Sequence, residues 1–151
     1  MANTASNPVT SFTSRYGSPI VDQNGARIRA HCRHVATVVT ISGRIDAANV
    51  DSVTDCVKRF ILSDKPMILD LSGVSSFAPQ GIRLLQAFDD LCQKAGIDWA
   101  LISSDVVTRR LGRSTDVQLP VVGSVAEALH NLDDAILDRR RFLLPLLSKT
   151  A

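Results

Sequence analysis

The sequence has few aromatic residues, a small net charge and no long apolar run. Of its 151 residues only 5% are Phe, Trp or Tyr, and the formal net charge is +2. Nucleic-acid-binding domains cluster Lys and Arg on one face and stack bases on aromatic rings, so we expect no direct nucleic-acid partner. No stretch approaches the ~20 apolar residues that cross a bilayer, so we expect no membrane span.

Cysteine is also scarce. Cys32, Cys56 and Cys92 are widely spaced, odd in number and lack a C-x-x-C pair. Cys56 and Cys92 fall on the apolar faces of predicted helices, where a free thiol behaves as a small hydrophobe. The N-terminus shows no charged region followed by the apolar stretch of a secretory signal. These features favour a cytoplasmic protein with reduced cysteines.

The sequence lacks the residue clusters that enzymes and metal sites need. His31 and His34 would point to opposite faces of a strand, and no third ligand is near, so we expect no metal site. No G-x-S-x-G motif accompanies His130, and the isolated Gly81 does not form a glycine-rich phosphate loop. We therefore predict no catalytic residues, no metal and no cofactor, and a protein that is not an enzyme.

What the sequence does contain is a regular alternation of strand-like and helix-like segments. Residues 35–42 are β-branched and strand-like, and residues 67–71 form a short apolar run typical of a strand buried on both faces. Apolar residues recur at three- and four-residue steps over residues 50–61 and 84–95, which indicates helices. With the shorter segments that follow, the predicted order is β-β-α-β-α-β-α-β-α. This order favours an α/β fold with a mixed, mostly parallel sheet and about four helices.

Both ends of the chain depart from this alternation. Residues 1–24 are rich in Ser, Thr, Asn, Pro and Gly, which predicts a flexible tail before a domain at 25–138. Residues 139–151 combine three arginines with an apolar stretch that contains Pro145. We expect this C-terminal tail to pack against the domain or against a second copy of the chain, which leaves a homodimer open.

Five segments, taken in order, resemble the STAS domain, the fold of bacterial anti-sigma-factor antagonists. They are T-I-S-G-R-I-D-A-A-N at 40–49, M-I-L-D-L-S-G-V-S-S-F at 67–77, G-I-R-L-L at 81–85, V-T-R-R-L at 107–111 and L-P-V-V-G-S-V-A-E-A-L at 119–129. The resemblance implies a bacterial regulator of transcription in stress responses. Such a protein binds an anti-sigma factor, often a serine/threonine kinase, and is not itself an enzyme.

The turn before the second predicted helix departs from the family pattern. Where the family carries a D-S-[ST]-G turn whose serine the kinase phosphorylates, this sequence has Ala78, Pro79, Gln80 and Gly81. Proline has no hydroxyl, so the resemblance implies a module that is not switched by phosphorylation at this turn. Arg44 likewise stands where the family often has an acidic residue.

Sheets of this kind bind partners beyond the carboxyl ends of their parallel strands. We therefore predict a partner-binding surface on the loop after the second strand and the turn before the second helix, with Phe77 and Pro79 as its apolar centre. The predicted residues are Arg44, Asp46, Asn49, Ser75, Ser76, Phe77, Ala78, Pro79, Gln80 and Arg83. The alternative is a small-ligand or nucleotide sensor that uses the same edge and has no role in sigma-factor regulation.

A switch that is absent from this turn would lie elsewhere in the chain. Flexible segments can adopt the extended form that a kinase cleft requires. The N-terminal tail carries several hydroxyl residues near Arg15, and we predict Thr4 and Thr10 among them as phosphorylation sites. The alternative is an inert tail that only aids solubility.

Overall fold

The computed structural model describes residues 10–11, 20–33, 35–61, 65–113 and 118–149, with side chains described only within 20–138. In this part of the chain seven strands form one sheet, in sequential order. Neighbouring strands are antiparallel from the first to the fourth and parallel from the fourth to the seventh. The strands are β1 (Thr10–Ser11), β2 (Ile20–Gln23), β3 (Ala26–Cys32), β4 (Thr37–Ile45), β5 (Met67–Phe77), β6 (Trp99–Ile102) and β7 (Val121–Val122).

Four helices complete the described part of the chain, and the predicted mixed α/β class with four helices is confirmed. Three of them connect successive parallel strands, and the fourth follows β7. They are α1 (Val50–Lys58), α2 (Gly81–Ala95), α3 (Asp105–Gly112) and α4 (Val125–Lys149). None of these helices is both long and apolar enough to cross a membrane, in the residues that the structure describes.

The sheet separates two apolar clusters. The larger one joins α1 and α2 to the sheet, with Val53, Leu84 and Phe88 among its buried residues. On the opposite face, Ala128 and Leu132 of α4 belong to the smaller cluster, together with apolar residues of β4, β5 and β6. Each face of the parallel strands is therefore covered, as the apolar run at 67–71 predicts.

The predicted burial of two cysteines is confirmed. Cys56 and Cys92 are buried, whereas Cys32 is exposed, and all three are free thiols. Burial raises the pKa of Cys56. Burial, with a smaller contribution from the charge of Asp89, raises the pKa of Cys92 to about 12. These two helical thiols are therefore neutral packing groups near pH 7.

Strand β5 is longer than the sequence predicts. The apolar run ends at Leu71, and residues 72–81 read as a loop, but β5 continues to Phe77. Its polar half pairs with β4 through two register shifts, which bring Gly43 opposite Val74 and Ile45 opposite Phe77. Val74 and Phe77 are buried, so burial and strand pairing extend β5 where the local sequence favours a turn.

The two chain ends also differ from their predictions. Strands β1 and β2 lie within the predicted tail of residues 1–24, and Ile20–Gln23 pairs along its whole length with β3. At the other end, helix α4 continues to Lys149, through most of the predicted tail at 139–151. The regular structure therefore begins before residue 25 and ends after residue 138.

Candidate functional site

The structure brings the two predicted binding segments together at the carboxyl edge of the parallel strands. We call residues 43–49 the β4–α1 loop and residues 75–81 the β5–α2 turn. Arg44 lies opposite Ser76 in the paired strands. The backbone N–H of Ala78 donates to the carbonyl oxygen of Ile45 at 2.9 Å. The two segments therefore form one continuous surface.

Asn49 holds the β4–α1 loop in place. Its side chain is fully buried. Its Nδ2 donates to the carbonyl oxygens of Gln23, Asn24 and Arg44 at 3.2, 3.2 and 2.7 Å. Its Oδ1 accepts from the backbone N–H of Asp46 at 2.9 Å. Asn49 therefore ties the loop to the β2–β3 hairpin and presents no surface to a partner, contrary to its prediction as a contact residue.

Asp46 and Arg44 shape the exposed side of the same loop. Oδ1 of Asp46 accepts from the backbone N–H groups of Ala48 and Asn49 at 2.9 and 3.2 Å. With the return bond from Asp46 N–H to Asn49, this is a reciprocal capping arrangement ahead of α1. Oδ2 of Asp46 lies 3.1 Å from Nε of Arg44, in an ion pair whose arginine side chain is 60% exposed. Solvent screens such a pair, so the interaction between the two charges is weak. Both charged groups are therefore also available to a partner.

The β5–α2 turn is held by its backbone. The N–H of Gly81 donates to the carbonyl oxygen of Ala78 at 2.9 Å, which closes a four-residue turn with Pro79 at its second position. Proline suits this position because its φ is fixed near the value that the turn requires. The four residues 78–81 therefore close their turn without a hydroxyl or carboxylate, and α2 begins two residues after Pro79.

Phe77 is not the apolar contact that the sequence predicts. Its side chain is buried, with the residue 5% exposed. Its ring packs against Gly81, where an added Cβ would lie 2.5 Å from two ring carbons. A residue larger than glycine does not fit there without displacing the ring. The exposed apolar group of the turn is therefore Pro79, beside the half-buried Ala78.

The remaining predicted residues lie on the surface. Ser75 donates from its hydroxyl to the carbonyl oxygen of Gly43 at 3.1 Å, which joins the two segments a second time. Ser76, Gln80 and Arg83 are exposed. Asn49 and Phe77 are buried and support the surface from within. The predicted residues that remain accessible are Arg44, Asp46, Ser75, Ser76, Ala78, Pro79, Gln80 and Arg83.

An arginine-lined cavity beside the turn was not predicted. Its volume is about 260 Å³, and its walls include Ser75 and Ser76 of β5 and the side chains of Arg109, Arg110 and Arg113. Arg109 and Arg110 belong to the last turn of α3 and Arg113 is the residue that caps it, and positions three and four apart, such as 110 and 113 or 109 and 113, are neighbours on a helix surface. That spacing was visible in the sequence, although the sequence alone does not show that this face meets the end of β5.

Some predictions concern residues that the structure does not describe. His34 and Thr4 lie outside the described residues, and Thr10 lies in β1. The phosphorylation of Thr4 and Thr10 stays a prediction. Among the described residues, no group of three His, Cys, Asp or Glu side chains is arranged to hold a metal ion.

Comparison with known proteins identifies the family. The family model for the STAS domain matches residues 27–130, and the chain belongs to this family. It is 48% identical over 146 residues to Osmosensory protein A of Mycobacterium tuberculosis, covering 93% of this chain and 92% of that protein. The resemblance found in the sequence is therefore confirmed.

Solved structures share the fold. An anti-sigma factor antagonist from Mycobacterium paratuberculosis superposes with a TM-score of 0.60 at 20% identity, over 72% of this chain and 94% of that one. RsbS of Moorella thermoacetica gives a TM-score of 0.60 at 16% identity, over 72% of this chain and 97% of that one. At these identities the likeness concerns the fold alone.

Proposed function

We propose that this protein is a non-enzymatic regulator that binds an anti-sigma factor, or a related serine/threonine kinase, and so influences sigma-factor-dependent transcription. STAS-family membership and the fold shared with an anti-sigma factor antagonist support this class of function. The name of Osmosensory protein A, which is 48% identical, supports a role in the response to osmotic stress. A regulator of this kind acts in the bacterial cytoplasm.

The observation that carries the proposal is the β5–α2 turn. Pro79 and Gln80 are exposed at the carboxyl edge of the sheet, next to the exposed Arg83 and the half-exposed ion pair of Arg44 with Asp46. The turn is closed by its own backbone. A partner therefore meets a surface that is already ordered, and little conformational entropy is lost on binding.

The same turn supports binding without a phosphorylation switch at this position. A phosphoryl group adds close to two negative charges and is costly to desolvate in a packed interface. Pro79, Ala78 and Gln80 offer no acceptor hydroxyl for it. Binding through this turn is then governed by the amount of partner or by another part of the chain.

Substitution of Pro79 tests the proposal. The anti-sigma factors of the source organism would be purified one by one and titrated against the parent protein by isothermal titration calorimetry. We expect one of them to bind, and we expect Pro79→Asp to weaken that binding more than tenfold, because a carboxylate introduces charge into the centre of the interface. The thermal midpoint should stay nearly unchanged, since Pro79 is exposed.

Asn131→Asp is the matched control, because Asn131 is exposed on α4, on the opposite side of the sheet. It should bind as the parent does. Equal binding by the parent and Pro79→Asp would show that the surface is misplaced. Binding by none of the anti-sigma factors would overturn the proposed function.

A further inference from the structure

We propose that the arginine-lined cavity beside the β5–α2 turn binds the phosphate group of a small anionic molecule. The cavity of about 260 Å³ is bounded by Arg109, Arg110 and Arg113 on one side and by Ser75 and Ser76 on the other. Among the described residues that line it there is no carboxylate. Three arginines therefore line a concave space to which no described side chain adds a negative charge.

The three arginines are not engaged in ion pairs within the described residues. The salt bridges there join Arg44 to Asp46, Lys58 to Asp55 and His130 to Asp134. Like charges that share a site repel one another, so three guanidinium groups at one cavity leave an electrostatic potential that an anion relieves.

Arg110 supplies an independent observation. Its Nε is buried and has no hydrogen-bond partner among the residues that the structure describes. Buried donors are almost always paired, because an unpaired donor loses its hydrogen bond to water without replacement. Arg110 also lines the cavity, so an oxyanion there lies beside a guanidinium group whose Nε–H is not engaged by any described acceptor.

The arrangement suits a phosphate better than a carboxylate. A guanidinium group presents its donors in a fork that matches the oxygens of a phosphate, and a dianion compensates more of the cavity's charge than a single carboxylate can. Ser76 of β5 also lines the cavity, and a serine hydroxyl can donate to a phosphate oxygen. The volume is below that of pockets for drug-sized ligands, so it fits one or two phosphoryl groups and leaves the rest of a larger ligand outside.

Direct binding to the whole protein, with no protein partner present, tests this inference separately from the proposed function. Inorganic phosphate, pyrophosphate and ADP would each be titrated by calorimetry at constant low ionic strength, with sulfate as a further oxyanion. We expect pyrophosphate to bind with one-to-one stoichiometry. Tighter binding of ADP than of pyrophosphate would identify a nucleotide as the source of the phosphate, and equal or weaker binding would identify a free phosphate anion.

Two double variants decide where the anion binds. Arg109→Gln with Arg113→Gln should weaken pyrophosphate binding at least tenfold, because it removes two of the three charges. Arg33→Gln with Arg59→Gln is the matched control, since it removes two exposed arginines that do not line the cavity. Arg110→Gln alone should also weaken binding, because it removes one of the three guanidinium groups that line the cavity.

Amide chemical shifts from nuclear magnetic resonance then locate the site. Pyrophosphate should perturb the amides of Ser75, Ser76 and Arg110. A second basic cavity, lined by Arg27, Arg29 and His31 on the open face of the sheet, provides the internal comparison. Perturbation centred there, equal weakening by both double variants, binding of sulfate as tight as that of pyrophosphate, or no saturable binding of any phosphate would each overturn the proposal.

Discussion

The β4–α1 loop and the β5–α2 turn lie side by side, yet they are held by different means. A buried amide fixes the loop, because Asn49 bonds to three carbonyl oxygens and one N–H group. The turn has no such side chain, and its backbone bond from Gly81 to Ala78 closes it over the ring of Phe77. The loop is thus stabilised by the hydrogen bonds of a buried side chain, and the turn is stabilised by a backbone hydrogen bond and by packing on the Phe77 ring.

This difference separates the side chains that hold the surface in shape from the side chains that are exposed on it. The polar atoms of Asn49 are used up by the fold and cannot contact a partner. The turn needs no polar side chain for its shape, so Pro79 and Gln80 are free to differ from the family pattern without loss of structure. A surface whose shape depends on backbone and packing can therefore change its chemistry, whereas the loop beside it is constrained by hydrogen bonding.

Removal of the Asn49 amide should give the largest effect. Asn49→Ala leaves a buried N–H and several buried carbonyl oxygens without their partner, so we expect the free energy of unfolding to fall by about 3 kcal/mol. Urea denaturation measures this. Asn131→Ala, an exposed asparagine of α4, serves as the control and should stay within about 0.5 kcal/mol of the parent. A similar small loss at both positions would refute the supporting role of Asn49.

A methyl group at Gly81 should give an intermediate effect. Gly81→Ala places a Cβ 2.5 Å from the buried ring of Phe77, which has to move. We expect a loss of about 2 kcal/mol, typical of overpacking. Gly112→Ala is the control, because an added Cβ at Gly112 meets nothing within 4 Å.

A double variant shows whether the ring is the cause of that loss. Phe77→Leu in the Gly81→Ala background should cost less than the sum of the two single losses, since the smaller side chain relieves the clash. Additive losses would mean that the contact between the added Cβ and the Phe77 ring is not the cause of the loss in stability.

The smallest effects should come from the partly buried Asp46 and the exposed Ser75. Asp46→Ala removes the acceptor of two backbone N–H groups and should cost about 1 kcal/mol, as the loss of a helix cap does. Ser75→Ala removes one exposed hydrogen bond and should cost less than about 0.5 kcal/mol. If the two losses in urea denaturation are equal, the Asp46 carboxylate contributes no more to the loop than the Ser75 hydroxyl contributes to the turn.

Much of the architecture follows from the sequence alone. The periodicity of residues 84–95 predicts a helix, and the structure has α2 over Gly81–Ala95. Ser124 and Glu127 have the three-residue spacing of a helix-capping motif, and in the structure the N–H of Glu127 donates to the Ser124 hydroxyl at 3.1 Å at the start of α4. Such features depend on residues a few positions apart, which the sequence displays directly. The juxtaposition of the β4–α1 loop and the β5–α2 turn at one edge of the sheet followed as well, because parallel strands end on the same side of a sheet.

The tertiary structure decided the roles of individual residues at that edge. Asn49 is bonded to Gln23 and Asn24, and β5 extends to Phe77 because it pairs with β4. Arg110 lines a cavity only because α3 packs against the end of β5. Each of these results joins residues that are distant in the chain. The local pattern around each residue is compatible with exposure or burial, and only the packing of the whole domain selects between them.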